Sequence, residues 1–157
     1  MAEQLKLTFH PPFHPSLDFT LKMEHDTGVM IYRVYDPQNP LMKEPFTAGI
    51  DTLTCVVGGK AYAKFVETIR SVNFKEHKNP PRAGIILDET KVEVQYISTV
   101  FHTGKLDFKL YDRALFKMEY QLLDGFFEFA ENVLEETKRL EFIRDLKQFS
   151  VMRFSEK

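Results

Sequence analysis

The clearest alternation of apolar and polar positions begins at Leu17, where Leu17, Phe19, Leu21 and Met23 interleave with Asp18, Thr20, Lys22 and Glu24. A period of two marks a strand buried on one side, because successive side chains point to opposite faces of a sheet. His25-Asp26-Thr27-Gly28 supplies turn chemistry, and Val29-Met30-Ile31-Tyr32-Arg33-Val34-Tyr35 follows with the β-branched and aromatic residues that suit a pleated surface. The two runs predict a β-hairpin. Asp36-Pro37-Gln38-Asn39-Pro40 ends it, since proline has no N–H to give to a ladder. In the second strand Met30, Tyr32 and Val34 are expected to face the core, and Ile31, Arg33 and Tyr35 to face outward.

Pro45 and Gly49 interrupt the next stretch, but Leu53, Cys55 and Val57 alternate with Thr52, Thr54 and Val56, which allows one further strand. After Gly58-Gly59 the period lengthens. Ala61, Phe65, Ile69 and Val72 recur at helical steps and are joined by Tyr62 and Val66, which predicts a helix over 59–73. The charged residues 75–81 end in two prolines and read as an exposed connection. Ile85-Ile86-Leu87 and the alternating run 91–97 flank Asp88-Glu89-Thr90 and predict a second hairpin. The alternation over 105–110 adds a third strand to this meander.

Leu122, Phe126, Phe129 and Val133 form one apolar helical row, and Leu123, Phe127, Ala130 and Leu134 form the row beside it. Asp124, Glu128, Glu131 and Glu135 line the opposite face. This helix is expected from about Arg113, although Phe116, Met118 and Tyr120 alternate as a strand would; the helical reading places Glu119 on the apolar arc. Leu140, Ile143 and Leu146 predict a further helix, and Val151 to Phe154 a short closing strand.

Together these elements predict an α+β fold in which an antiparallel sheet, built from the N-terminal hairpin and the central meander, packs against one mid-chain helix and a C-terminal helical region. The 157 residues are expected to form a single domain, with residues 1–15 set apart as a Pro/His-containing N-terminal segment free to be flexible. Fifteen Phe and six Tyr with no Trp imply an aromatic-rich core.

A formal charge of −2, from 21 basic and 23 acidic residues spread along the chain, leaves no electrostatic footprint for nucleic acid. Cys55 is the single cysteine, which excludes an internal disulfide or a Cys-based zinc cage and fits a reducing, cytoplasmic setting. No apolar run approaches the ~18 residues of a membrane span, so neither secretion nor a membrane partner is expected.

Candidate chemistry is sparse. His10 and His14 stand four residues apart, but Pro11 and Pro12 between them prevent the helical geometry that would bring both rings to one metal, and no metal is expected. Gly58-Gly59-Lys60 at the start of a helix lacks the spacing of known phosphate loops, so no cofactor is assigned. Asp88, Glu89, His102 and Asp107 near bends are the candidates for an acid–base pair, and no serine or cysteine carries a nucleophile signature.

The acidic row Asp124, Glu128, Glu131 and Glu135, continued by Glu136, is the most regular charged feature, and the strand bearing Arg33 and Tyr35 offers residue types enriched at protein interfaces. The expected function is therefore a protein-interaction module, of an immunity or adaptor kind, binding one specific protein partner through Arg33, Tyr35, Asp124, Glu128, Glu131 and Glu135. Ligand binding in an aromatic-lined pocket and acid–base catalysis are the alternatives, the balance lying against an enzyme. A homo-oligomer is compatible with each.

Overall fold

The computed structural model describes residues 3–10, 15–35, 51–72, 90–98, 104–110 and 117–151. Among them are six strands, β1 (Glu3–His10), β2 (Ser16–Met23), β3 (Thr27–Tyr35), β4 (Asp51–Gly58), β5 (Thr90–Ser98) and β6 (Gly104–Leu110), and three helices, α1 (Gly59–Ser71), α2 (Lys117–Val133) and α3 (Thr137–Val151). The strands form one antiparallel sheet in the order β4-β3-β2-β1-β5-β6. The fold is α+β.

The predicted hairpin is β2 and β3, with Leu17 opposite Val34 and Leu21 opposite Met30. Of the meander, the described residues include β5 and β6, in which Val92 pairs with Phe108 in the ladder. The readings made for 75–81 and 85–87 lie outside the described residues, as do the start of α2 before Lys117 and the side chain of Glu119.

Two expectations are corrected. Residues 1–15 are not an appendage throughout: Glu3–His10 is β1, near the middle of the sheet, paired with β2 on one side and β5 on the other. Leu5, Leu7 and Phe9 are completely buried and alternate with Lys6, Thr8 and His10, so β1 is the strand that joins the hairpin to the meander. Val151, assigned to a closing strand, is instead the last residue of α3; residues 152–154 lie outside the described set.

The period of two decides which face is covered. Leu5, Leu7, Phe9, Leu17, Phe19, Leu21, Met30, Tyr32, Val92 and Val94 point to one side and are buried with Phe65, Phe126, Phe127, Phe129 and Ile143 of the helices. Phe126 sits at the middle of this layer, with its ring centroid 5.6 Å from Phe9, 4.8 Å from Phe19 and 5.3 Å from Phe127. Offset and edge-on aromatic pairs at these separations add to the stabilisation from burial alone. Lys6, Thr8, Thr20, Lys22, Ile31, Arg33, Thr54 and Gln95 lie on the other side by the same alternation, and no described helix packs there.

β4 runs into α1 with no intervening loop. Gly58 is extended and Gly59 takes φ +84°, a left-handed conformation that a residue with a Cβ rarely adopts, so the glycine pair turns the chain from strand to helix within one residue. α1 is then fastened to the β2–β3 turn, where the Tyr62 hydroxyl donates to the carbonyl of Thr27 at 2.9 Å and also reaches that of Glu24 at 3.3 Å.

Gly28 makes this seat possible. A Cβ there would stand 2.8 Å from the Lys22 carbonyl oxygen and 2.8 Å from the Tyr62 ring. One contact is backbone and the other is a buried ring, so neither can yield cheaply. Gly28→Ala is expected to lower the unfolding free energy by about 1–3 kcal/mol, the usual range for overpacking, as read by urea denaturation. A variant as stable as the parent would mean that Tyr62 does not rest against the turn.

Candidate functional site

β3 places Arg33 and Tyr35 on the helix-free face, as their alternation with Tyr32 and Val34 requires. Arg33 Nη1 donates to Asp18 Oδ2 at 3.0 Å from the neighbouring strand, and the two are directly opposite in the β2–β3 register. The guanidinium carbon also lies 4.5 Å from the centre of the Tyr35 ring, within the range of a cation–π contact. The Arg33 side chain keeps only 25% of its exposure, and its Nε is enclosed with no hydrogen-bond partner. Burial and the adjacent Asp18 carboxylate push the Tyr35 hydroxyl up to about 12. The result is an Arg–Tyr pair held by one carboxylate from the neighbouring strand.

Other polar groups extend this end of the face. His10 Nδ1 lies 3.0 Å from the hydroxyl of Ser16, which pairs in register with Tyr35. Thr8 stands between Asp18 on one side and Glu93 on the other. The His10–Ser16 pair has the elements of a nucleophile and base, but Ser16 is only 1% exposed, so a substrate cannot approach its hydroxyl without rearrangement. His14, Asp88, Glu89 and His102 lie outside the described residues. Asp107 is opposite Glu93 in the β5–β6 register, and its side chain is outside the described set. Among the described residues no three His, Cys, Asp or Glu side chains come together as a metal site.

The acidic row of α2 is divided between two neighbours. Glu128 is paired with Lys64 of α1 at 2.8 Å, and Glu131 lies 3.7 Å from Arg144 and 3.8 Å from Lys147 of α3. Asp124 and Glu128 border a groove of about 220 Å³ between α1 and α2, floored by Phe65, Gly125 and Phe129. Glu135 and Glu136 are exposed in the short α2–α3 connection. A stripe that looks uniformly negative in sequence is thus interleaved with cations from the two flanking helices, and its field is correspondingly weaker.

Two ion-pair clusters went unrecognised in sequence. Glu3, 8% exposed, accepts two hydrogen bonds from Arg70 of α1, at 3.1 and 2.7 Å, and one from the Tyr96 hydroxyl at 2.5 Å. Burial disfavours the Glu3 carboxylate, but the hydrogen bonds from Arg70 and Tyr96 outweigh it and hold the group below the usual range. Burial and the hydrogen bond to Glu3 push Tyr96 up to about 12. At the other edge Arg139 of α3 forks onto Asp51 of β4 at 2.7 and 2.8 Å, and this contact lowers the Asp51 carboxyl. The helix-to-strand contacts span 67 and 88 residues of chain and the Tyr96–Glu3 bond between strands spans 93, so no local pattern announces them.

The aromatic side chains put forward as a pocket lining are engaged with one another. Phe65 stacks on Phe129 at 5.0 Å, and Phe9 on Phe126. A second groove, of about 590 Å³, runs along α1 past Tyr62, Glu67 and Arg70 to His25 and Asp26. No helix among the described residues is long and apolar enough to cross a membrane. Compared with protein-family models, with curated proteins and with solved structures, the chain matches none of them.

Proposed function

We propose that this protein is an interaction module of the cytoplasm, in an immunity-type or adaptor role, and that it binds one protein partner with the face of its sheet away from the described helices, around Arg33 and Tyr35. The observation that carries this reading is the Arg33–Tyr35–Asp18 arrangement itself. Arg and Tyr supply large contact area, and here both are already held in place, by the 3.0 Å ion pair and by the 4.5 Å stacking distance. Side chains immobilised before binding lose little further entropy when a partner arrives. The neighbouring Ile31 and Thr20 continue the same face with apolar and small polar surface on which a partner can close.

The acidic row of α2 fits this role less well, because Lys64, Arg144 and Lys147 already answer part of its charge. The test compares three immobilised proteins in capture from the native host, followed by titration of whatever is captured. These are the parent, the double variant Arg33→Ser/Tyr35→Ser, and the α2 variant Asp124→Asn/Glu128→Gln. A partner held by the parent and by the α2 variant is expected to bind the sheet variant about 30-fold or more weakly, the effect of losing an interface hot spot of about 2 kcal/mol. A partner lost only from the α2 variant would move the site to the helices. Equal binding to all three would overturn both placements.

A further inference from the structure

Among the described strands β4 and β6 are the outer two of the sheet, and their sequences differ in charge. An outer strand presents a row of unpaired backbone donors and acceptors, and proteins usually guard it with lysine, proline, a bulge or inward-pointing charge. β6 has the sequence Gly104-Lys-Leu-Asp-Phe-Lys-Leu110, with three charged residues in seven. β4 reads Asp51-Thr-Leu-Thr-Cys-Val-Val-Gly58, keeps unbroken register with β3 from Asp51 to Gly58, and carries a single charge at its first residue. That acid is committed to Arg139. Val56, the most exposed large apolar side chain of the described residues at 71%, stands on this strand.

We infer that β4 is the association edge for a second copy of this chain, the two β4 strands pairing antiparallel about a two-fold axis to make one continuous sheet. The inference is independent of the partner site on Arg33 and Tyr35. A strand that meets its own copy must tolerate each of its side chains twice, and β4 does so because Thr52 to Val57 are all uncharged. A lysine or glutamate in the middle of the strand would instead face its like. Another partner strand would have no such reason to find the edge neutral.

Symmetry also limits the register. A two-fold axis normal to the sheet keeps the helix side of one copy level with the helix side of the other, so only residues of the same face can stand opposite one another. The middle of β4 falls between Thr54 and Cys55. Centring on Thr54 sets Leu53 opposite the partner's Cys55 and Thr52 opposite the partner's Val56. Centring on Cys55 sets the two thiols opposite each other and Val56 opposite the partner's Thr54. In both, Val56 gains a neighbour on the open face, and Leu53 and Cys55, now partly buried, are covered on the helix side.

Sedimentation equilibrium over a concentration series tests the inference directly. The parent chain is expected to form a dimer, and Thr54→Lys/Val56→Lys, two changes at exposed side chains, is expected to weaken it about tenfold or more by placing lysines near lysines across the new ladder. Matching circular dichroism and thermal midpoints show that the variant is folded. The sole cysteine supplies a second measurement: mild oxidation with copper phenanthroline cross-links the parent in the Cys55-centred register, while Leu53→Cys gives the cross-link in the Thr54-centred one. A parent that stays monomeric overturns the proposal, as does a dimer unmoved by the lysine pair or one that yields no cross-link from either protein.

Discussion

Phe126→Ala is expected to lower the unfolding free energy by about 3–5 kcal/mol, the range for truncating a fully buried phenylalanine. At this chain length each kcal/mol moves the midpoint by about 2–4 °C, so Tm should fall by roughly 6–20 °C. The expectation rests on position: the Phe126 ring is completely buried and lies between 4.8 and 6.3 Å from the rings of Phe9, Phe19, Phe65 and Phe127. These come from β1, β2, α1 and α2 itself, so the cavity would open where sheet and helices meet and no single element can relax to fill it. Phe142→Ala, at a partly buried ring on α3, is the comparison and should cost less than half as much. Equal losses in the two variants would show that the core is not centred on Phe126.

Glu3→Ala should be the next most damaging change, with a loss of about 2–3 kcal/mol at neutral pH. Breaking a buried pair costs about 3–5 kcal/mol, but the Arg70 side chain is 41% exposed and can turn to water, which reduces the figure. The Tyr96 hydroxyl, buried beside it, cannot turn to water so readily. The loss also has a definite pH dependence. Glu3 is lowered in the folded protein from its ordinary 4.5, so the carboxylate contributes its full stability above that value and loses it as pH falls through the lower folded value. The gap between parent and Glu3→Ala should therefore be constant at neutral pH and narrow in acid. A gap that widened on acidification would mean that Glu3 is not held as the anion. Asp51, lowered by Arg139, adds a second term of the same sign, which Glu3→Ala leaves in place.

Much of this architecture was open to reading from local pattern. The β2–β3 hairpin, the helix after Gly59 and the two apolar rows of α2 follow from periods of two and of three to four, since these say which side chains share a face before any partner is known. β1 carried the same signal, in Leu5, Leu7 and Phe9 against Lys6, Thr8 and His10. The neighbouring Pro11 and Pro12 drew attention to an irregular segment instead. The closing strand at Val151 failed for the opposite reason: its apolar residues are too few to separate a strand from the last turn of α3.

The candidate site shows the same division more sharply. That Arg33 and Tyr35 share a face on β3 follows from their spacing. That Asp18 lies opposite Arg33 depends on the hairpin register, and that the described helices pack on the other face depends on tertiary contacts. Asp124, Glu128 and Glu131 do lie on α2, but Glu135 and Glu136 fall in the connection after it, and Lys64 and Arg144 enter beside the row from α1 and α3.

By itself the sequence determined the class of the fold, the identity of most elements and which face of each is apolar, because those depend on residues a few positions apart. Only the tertiary structure decided the strand order, the central place of β1, the Glu3–Arg70–Tyr96 and Asp51–Arg139 clusters, and the outer place of β4 among the described strands. The clusters join groups 67 to 93 residues apart and β1 pairs Glu3 with Ser98, contacts brought about by burial of the whole aromatic layer rather than by any local preference.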